Sequence, residues 1–347
     1  MKVLHLLQSN RFSGAENVVC QIIGMFKDEA DIEMVYCSSD GQIREALEER
    51  NIKFVPLEEF SVKAVKKAIK EQKPDVIHAH DMRASFYAAC ACGRIPLVSH
   101  IHNNNFDSRG ISLKSLLYSF AARKSKHIFW VSRSAFEGYA FHKSFEKKSS
   151  ILYNIVNIDT LYEKMLLDSN TYDYDVAYVG RLVYQKNPQR LMQVCRLLKE
   201  KKCDVKIAVV GTGDQEDEVK ALADEYGLQD NVRFLGFLSN PLKVLHDSKV
   251  MIMTSLWEGT PMCVLEAMAL GVPVVSTPVD GLKEIIVNDN TGYLCEGDSE
   301  FADRIIELVS DDEKQARFSY NVREFSKKYN DIKTYKSNVL RAYRKNT

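Results

Sequence analysis

Short apolar runs alternate with longer segments of helical spacing along the whole chain. In the first half the runs are Val3–Leu7, Ile32–Cys37, Lys53–Val55, Val76–Ala79, Leu97–Ile101, His127–Val131 and Ile151–Leu152. In the second half they are Val176–Val179, Val205–Val210, Val232–Leu235, Val250–Met253, Val274–Ser276 and Tyr293–Cys295. Segments such as Ile43–Arg50 and Gln215–Tyr226 lie between them with helix-like composition. Near-continuous β-branched strands that alternate with helices predict parallel sheets covered on both faces. The polar stretch Asp168–Asp175 reads as a linker, since a new strand and glycine loop follow it. The expected domains are 1–167 and 168–325, each a Rossmann-like α/β unit. A helical tail, 326–347, is expected to pack back on the first.

Composition narrows the function classes. The 347 residues carry 47 basic and 47 acidic side chains, so net charge singles out neither nucleic acid nor membrane. The distribution is uneven: residues 1–62 hold 6 basic and 11 acidic groups, residues 63–148 hold 16 and 6. A basic patch of that size can attract a phosphate-bearing substrate or an anionic lipid surface. The eight cysteines include no C-x-x-C pair and read as reduced, buried thiols. Met1–Leu7 is too short for a signal peptide, and no run reaches about 18 apolar residues, which sets the expected location as cytoplasmic. The segment Ile111–Lys126 mixes leucines with Lys114, Arg123, Lys124 and Lys126. It reads either as a core-packed helix with a solvated basic face or as a helix lying on a membrane surface.

In doubly wound sheets ligands bind beyond the carboxyl ends of the strands, so the loops after strands are where chemistry is sought. Gly180-Arg181-Leu182 runs through Lys186 to Asn187 and Pro188, which suit a helix N-cap and first position. Arg181 and Lys186 there could neutralise a diphosphate, or be two solvated cations. Gly211-Thr212-Gly213 lacks the third glycine of a dinucleotide fingerprint, since position 216 is Glu216, but could still bring backbone close to a nucleotide. Ser13 and Glu16 fit a capping box, and Gly14 would let amides approach a phosphate or acceptor. In Ser255–Pro273, Thr260 is a natural N-cap, Pro261 a natural first residue and Gly271 a natural stop, giving a helix over 261–270. Glu258 precedes that helix and Glu266 lies within its apolar pattern, where a carboxylate needs a partner. A ribose diol or a core salt bridge would each serve. The amides around Gly259, Thr260, Pro261 and Met262 would face an anion or a sugar.

Three metal readings are weaker. His78/His80 and His100/His102 each share a strand face, but no Cys or acidic cluster completes a closed zinc site. Asp173-Tyr174-Asp175 precedes its strand. Asp28-Glu29-Ala30-Asp31 has no phosphate loop to serve.

Glu258 and Glu266, separated by seven residues, resemble the E-x7-E arrangement of retaining GT-B glycosyltransferases of the "group 1" family (the family four type). Gly14-Ala15-Glu16 resembles the end of that family's G-G-x-E loop, with Ser13 for its first glycine. His102 is similar to its donor-sugar histidine, and Asn154–Asn157 to its N-G-V-D segment. Gly180–Lys186 resembles its G-R-L…K-G loop, with Asn187 for glycine; Asp280-Gly281, Glu284 and Gly292 resemble its closing motif. The resemblance implies two Rossmann-like domains facing across a cleft, and transfer of a sugar from a UDP-sugar to a hydroxyl acceptor with retention. It implies Arg181 and Lys186 on the diphosphate and Glu266 on the ribose. Glu258 would contact the donor sugar, and His102 would orient it. It also implies no metal or other cofactor, a saccharide or lipid-linked saccharide acceptor of bacterial surface-polysaccharide assembly, and peripheral contact with the inner membrane face. No nucleic-acid partner is expected. Replacing Glu266 or Lys186 with Ala is expected to abolish most turnover with the fold intact. The rival readings are a UDP-sugar epimerase on the same fold and a non-catalytic nucleotide-sugar-binding partner.

Overall fold

The computed structural model describes residues 1–102, 109–201 and 204–344. The chain divides into two compact units, Met1–Asn154 with Asp331–Thr347, and Ile155–Asn330. The first holds a seven-stranded parallel sheet: β1 (Lys2–Leu6), β2 (Glu33–Ser39), β3 (Phe54–Leu57), β4 (Val76–His80), β5 (Leu97–Ile101), β6 (His127–Trp130) and β7 (Ser149–Ile151), in the order β3-β2-β1-β4-β5-β6-β7. The second holds six: β8 (Val176–Val179), β9 (Ile207–Val210), β10 (Val232–Gly236), β11 (Val250–Met253), β12 (Val274–Ser276) and β13 (Gly292–Leu294), in the order β10-β9-β8-β11-β12-β13. Every strand pairing is parallel. Each apolar run of the sequence became a strand, because both faces of each sheet are covered and alternation is not needed.

Strand order reverses between β1 and β4 in the first unit and between β8 and β11 in the second. Those reversals open crevices at the carboxyl ends, and they select which loops can meet a ligand. In the second unit they are the loops starting at Gly180 and Thr254, where the sequence motifs lie.

Two boundaries differ from expectation. The stretch Asp168–Asp175 belongs to the second unit, and the crossover falls after Asn154 rather than after residue 167. The reason is local packing. The helix Ile158–Leu166, capped by Asn157 (3.1 Å to the Thr160 amide), packs on the helix Leu242–His246. Lys164 carbonyl accepts from Asn240 at 2.7 Å, and the Asp247 carboxylate takes the Tyr172 amide at 3.1 Å. The tail is two helices, Asp312–Tyr329 and Ile332–Tyr343, and the break between them coincides with the return to the first unit. There Lys336 bonds Glu29 at 2.6 Å and Tyr343 reaches His78. Among the described residues Cys37, Cys90, Cys92, Cys195, Cys263 and Cys295 form no disulfide.

The helix Leu113–Lys124 turns its small residues, not its leucines, to the core. Its inward face is Ser115, Tyr118, Ser119, Ala121 and Ala122, set against the helix Asp81–Ala91. Leu113, Leu116, Leu117 and Phe120 lie on the opposite face and are 40–73% exposed. The helix packs through small residues and leaves its leucines outside.

Candidate active site

Beyond β8, the chain turns through a short 3₁₀ segment, Tyr184–Lys186, into the helix Pro188–Glu200. Asn187 takes the N-cap position with φ 49° and ψ 58°, and its side chain makes no capping bond. Asparagine tolerates this left-handed backbone better than most residues, so it stands acceptably at a position that suits glycine. The loop beyond β11 is stitched to this one. Thr254 Oγ1 reaches the carbonyls of Lys186 (3.0 Å) and Asn187 (3.1 Å). The Leu256 amide donates to Gln185 carbonyl at 2.8 Å, and Gln185 Nε2 to Trp257 carbonyl at 3.0 Å.

These ties bring Lys186 Nζ within 2.6 Å of Glu258 Oε1, with side chains only 11% and 7% exposed. Burial presses on the Lys186 ammonium, yet the Glu258 carboxylate and its hydrogen bond hold its pKa above the usual lysine value. The cation expected to await a phosphate is therefore already paired. Arg181 is exposed, and its carbonyl accepts from Tyr178 Oη at 3.1 Å. Its charge is felt at Lys186.

The next helix runs Met262–Ala269 with Pro261 at the cap position, one residue later than expected. Pro261 stays extended (ψ 128°) and its carbonyl accepts from Val264 (3.2 Å) and Leu265 (3.3 Å), so Thr260 lies outside the helix, buried. The amides of Met262 and Cys263 have no carbonyl upstream in the helix, which makes this end favourable for negative charge. Gly271 (φ 84°) ends the helix as expected, with the Val272 amide on Ala267 carbonyl at 2.9 Å. Glu266 is half-buried on this helix. Burial pushes the Cys263 thiol up to about 12; Lys186 opposes this, and Glu258 and Glu266 add to it. Lys186, Glu258 and Glu266 thus share one electrostatic neighbourhood around Cys263. The amide of Glu258 donates to Asp280 Oδ2 at 3.1 Å, and Asp280 adopts a positive φ of 39° to accept it.

Two glycines find a structural use. A Cβ on Gly211 (φ 133°) would lie 2.0 Å from Gly180 carbonyl oxygen, and one on Gly213 would lie 2.0 Å from Leu182 carbonyl oxygen. The space they leave is filled by the Gly180–Leu182 backbone. A Cβ on Gly180 itself would meet the Tyr178 hydroxyl at 3.2 Å.

Gly14 and His102 belong to the first unit, and the other eleven predicted site residues to the second. Gly14 opens the helix Gly14–Met25, exposed, with nothing within 4 Å of a Cβ. The capping box is half formed: the Glu16 carboxylate takes the Ser13 hydroxyl (2.5 Å) and amide, while Ser13 caps no backbone group. Burial raises the Glu16 pKa. His102 Nε2 lies 2.8 Å from His80 Nδ1, and its amide donates to Asp81 Oδ1 at 2.9 Å. Burial brings the His102 pKa down to about 3, so the ring is neutral.

Residues 166–325 match the family model described as glycosyl transferases group 1, and residues 12–160 match that of glycosyltransferase family 4. The chain belongs to the group 1 glycosyltransferases. An uncharacterized glycosyltransferase of Methanocaldococcus jannaschii is 26% identical, with 73% of this chain and 75% of that one covered. The Escherichia coli UDP-Gal:α-D-GlcNAc-diphosphoundecaprenol α-1,3-galactosyltransferase is 25% identical over 85% and 84%. Among solved structures, HepE of Anabaena in complex with UDP-glucose shares the fold at TM-score 0.85 and 22% identity, over 98% of each chain.

In this glycosyltransferase two contributors, His5 and Tyr343, escaped the sequence reading. His5 carries the only signal that was available, a polar residue inside the run Val3–Leu7. Asp280 reads as part of the closing motif, but its carboxylate acts on the Glu258 backbone amide, a contact with no sequence signature. Tyr343 comes from the far end of the chain to His78 Nδ1, at 2.6 Å.

Proposed function

We propose that this glycosyltransferase moves a hexosyl group from a UDP-sugar to a hydroxyl of a saccharide or lipid-linked saccharide, with retention, in cell-surface polysaccharide or glycolipid biosynthesis. The observation that carries the reading is the buried Lys186–Glu258 pair beside Arg181 and the amide end of Met262–Ala269, at the strand-order reversal of the second unit. A diphosphate there would take the remaining protons of Lys186 and the charge of Arg181, each charge-assisted bond adding about 1.5–3 kcal/mol. As the bond to the anomeric carbon breaks, these groups would offset the charge growing on the leaving group without any metal at the diphosphate. Glu266 would receive the ribose hydroxyls. Glu258, released in part from Lys186, would take sugar hydroxyls; His102 would orient the sugar, and Gly14 would let amides approach a phosphate or acceptor. The Escherichia coli relative, named for an undecaprenol-linked acceptor, supports a lipid-linked acceptor here.

A panel of UDP- and GDP-sugars tests this. UDP-sugars at about 100 times Kd are expected to stabilise the protein by about 2.7 kcal/mol in melting, and to release UDP faster when acceptor is added. Interconversion of the sugar without release of UDP would favour an epimerase. Melting shifts with no turnover on any acceptor would favour a binding partner.

The outward leucine face of Leu113–Lys124 supports a peripheral membrane contact. Ile111, Leu113, Leu116, Leu117 and Phe120 form the apolar stripe, and the exposed Arg123 and Lys124 end it, a match for an anionic bilayer. Among the described residues no helix is long and apolar enough to cross a membrane. The chain is expected to float with phosphatidylglycerol-containing vesicles, and Leu116→Asp with Leu117→Asp to lower that binding at least about tenfold with normal melting. Absence of flotation by the unaltered chain would remove the contact.

A further inference from the structure

Five buried imidazoles lie together on one face of the first sheet. β1 and β4 pair His5 with His78, and β4 and β5 pair His80 with His100, while His102 follows His100 at the two-residue strand period. All five are at most 9% exposed. His5 Nδ1 stands 3.0 Å from His80 Nε2, and His80 Nδ1 stands 2.8 Å from His102 Nε2. His78 Nδ1 is held by Tyr343 Oη at 2.6 Å. The other five ring nitrogens, His5 Nε2, His78 Nε2, both of His100, and His102 Nδ1, find no hydrogen-bond partner among the described residues. Each such orphan costs about 1–3 kcal/mol, and so many in one slab call for a common partner that accepts lone pairs.

We propose that His5, His78 and His80 bind one divalent d-block cation, with zinc as the reference ion. One nitrogen from each of the three lies within 4.8 Å of the other two. Nitrogens sharing a zinc ion at about 2.0–2.1 Å stand at most about 4 Å apart, so modest side-chain rotation closes the site. The ligand set is all imidazole, which suits zinc, copper or nickel and is wrong for calcium or magnesium. His80, His100 and His102 form a second group of the same kind, but it also needs His80, so the two exclude each other. Tyr343 decides between them. With His78 Nδ1–H donating to the tyrosine oxygen, Nε2 carries a lone pair into the cluster, the outer-sphere arrangement that usually accompanies a ligating histidine. Neither nitrogen of His100 is held in that way. An ion on His80 Nε2 would leave Nδ1–H for His102 Nε2 and so fix the tautomer of His102. The ion would cross-link β1 and β4. Its binding is independent of the diphosphate reading, which rests on the second unit.

The test uses the full-length protein purified without a metal-affinity tag. Elemental analysis is expected to find about one equivalent of zinc, and the chelator-treated protein to regain it. Titration with Co(II) alone is expected to produce the visible bands of a low-symmetry nitrogen site. Tyr343→Phe keeps all three ligands and is expected to weaken zinc binding about 10-fold, and His78→Gln about 100-fold or more. Circular dichroism reports whether His78→Gln folds; if it does not, Tyr343→Phe alone decides. A folded apo-protein that gives no Co(II) spectrum would overturn the proposal, as would binding that neither substitution weakens. The cluster would then be a hydrogen-bonded imidazole chain.

Discussion

Lys186→Ala is expected to lower turnover about 10³-fold and also to destabilise the second unit by about 3–5 kcal/mol. The second effect departs from the sequence-based expectation that the fold stays intact. Lys186 and Glu258 are nearly enclosed, with their charged atoms 2.6 Å apart. Removing the ammonium leaves a carboxylate that solvent barely reaches, so the cost is that of an uncompensated charge rather than of one hydrogen bond. Lys186→Met combined with Glu258→Gln removes both charges and should regain most of the lost stability while remaining inactive. Denaturant midpoints and initial rates on the three proteins separate the roles. An unchanged midpoint for Lys186→Ala would mean that the pair opens to water in solution. Glu266→Ala probes the ribose contact at a carboxylate that is only half-buried.

The parts of the fold that were legible are those set by local pattern. Buried parallel strands such as Val176–Val179 and Val250–Met253 are short apolar runs because helices cover both faces, and they appear with those bounds. The stop at Gly271 was legible because a positive φ is wanted there, though its closeness to Arg323 was not. Features that depend on distant partners were not. The Lys186–Glu258 pair joins residues 72 apart, and nothing local to either says that the two are closed off together. Thr260 looks like a cap by type, yet the Pro261 carbonyl takes that duty once the preceding loop is drawn to Asp280. The boundary near Asn154 depends on the packing of Ile158–Leu166 on a helix about 80 residues later, whereas composition favoured the polar stretch Asp168–Asp175. In Leu113–Lys124 the periodicity was readable but its direction was not, because an apolar stripe has the same spacing whether it faces a core or a bilayer.

Gly213→Ala is expected to destabilise the protein by about 3 kcal/mol and Gly14→Ala to leave stability unchanged or slightly raised. The two glycines look alike in sequence, each in a loop that follows a strand and precedes a helix. Their surroundings differ. At Gly213 a methyl would sit 2.0 Å from the Leu182 carbonyl oxygen, which already accepts the Gln215 amide at 3.0 Å. The neighbouring bonds, Gly180 amide to Val210 carbonyl (3.0 Å) and Leu182 amide to Thr212 carbonyl (2.9 Å), leave the backbone no slack. The methyl must therefore push the Arg181 loop away from β9, and nucleotide affinity should fall together with the melting temperature. At Gly14 nothing lies within 4 Å of the added carbon, so packing gives no reason for glycine there. Any loss of turnover in Gly14→Ala, at unchanged melting, would then come from a donor or acceptor that approaches the helix start closely. Equal activity in Gly14→Ala and the unaltered chain would show that no ligand needs that space, and would remove Gly14 from the site.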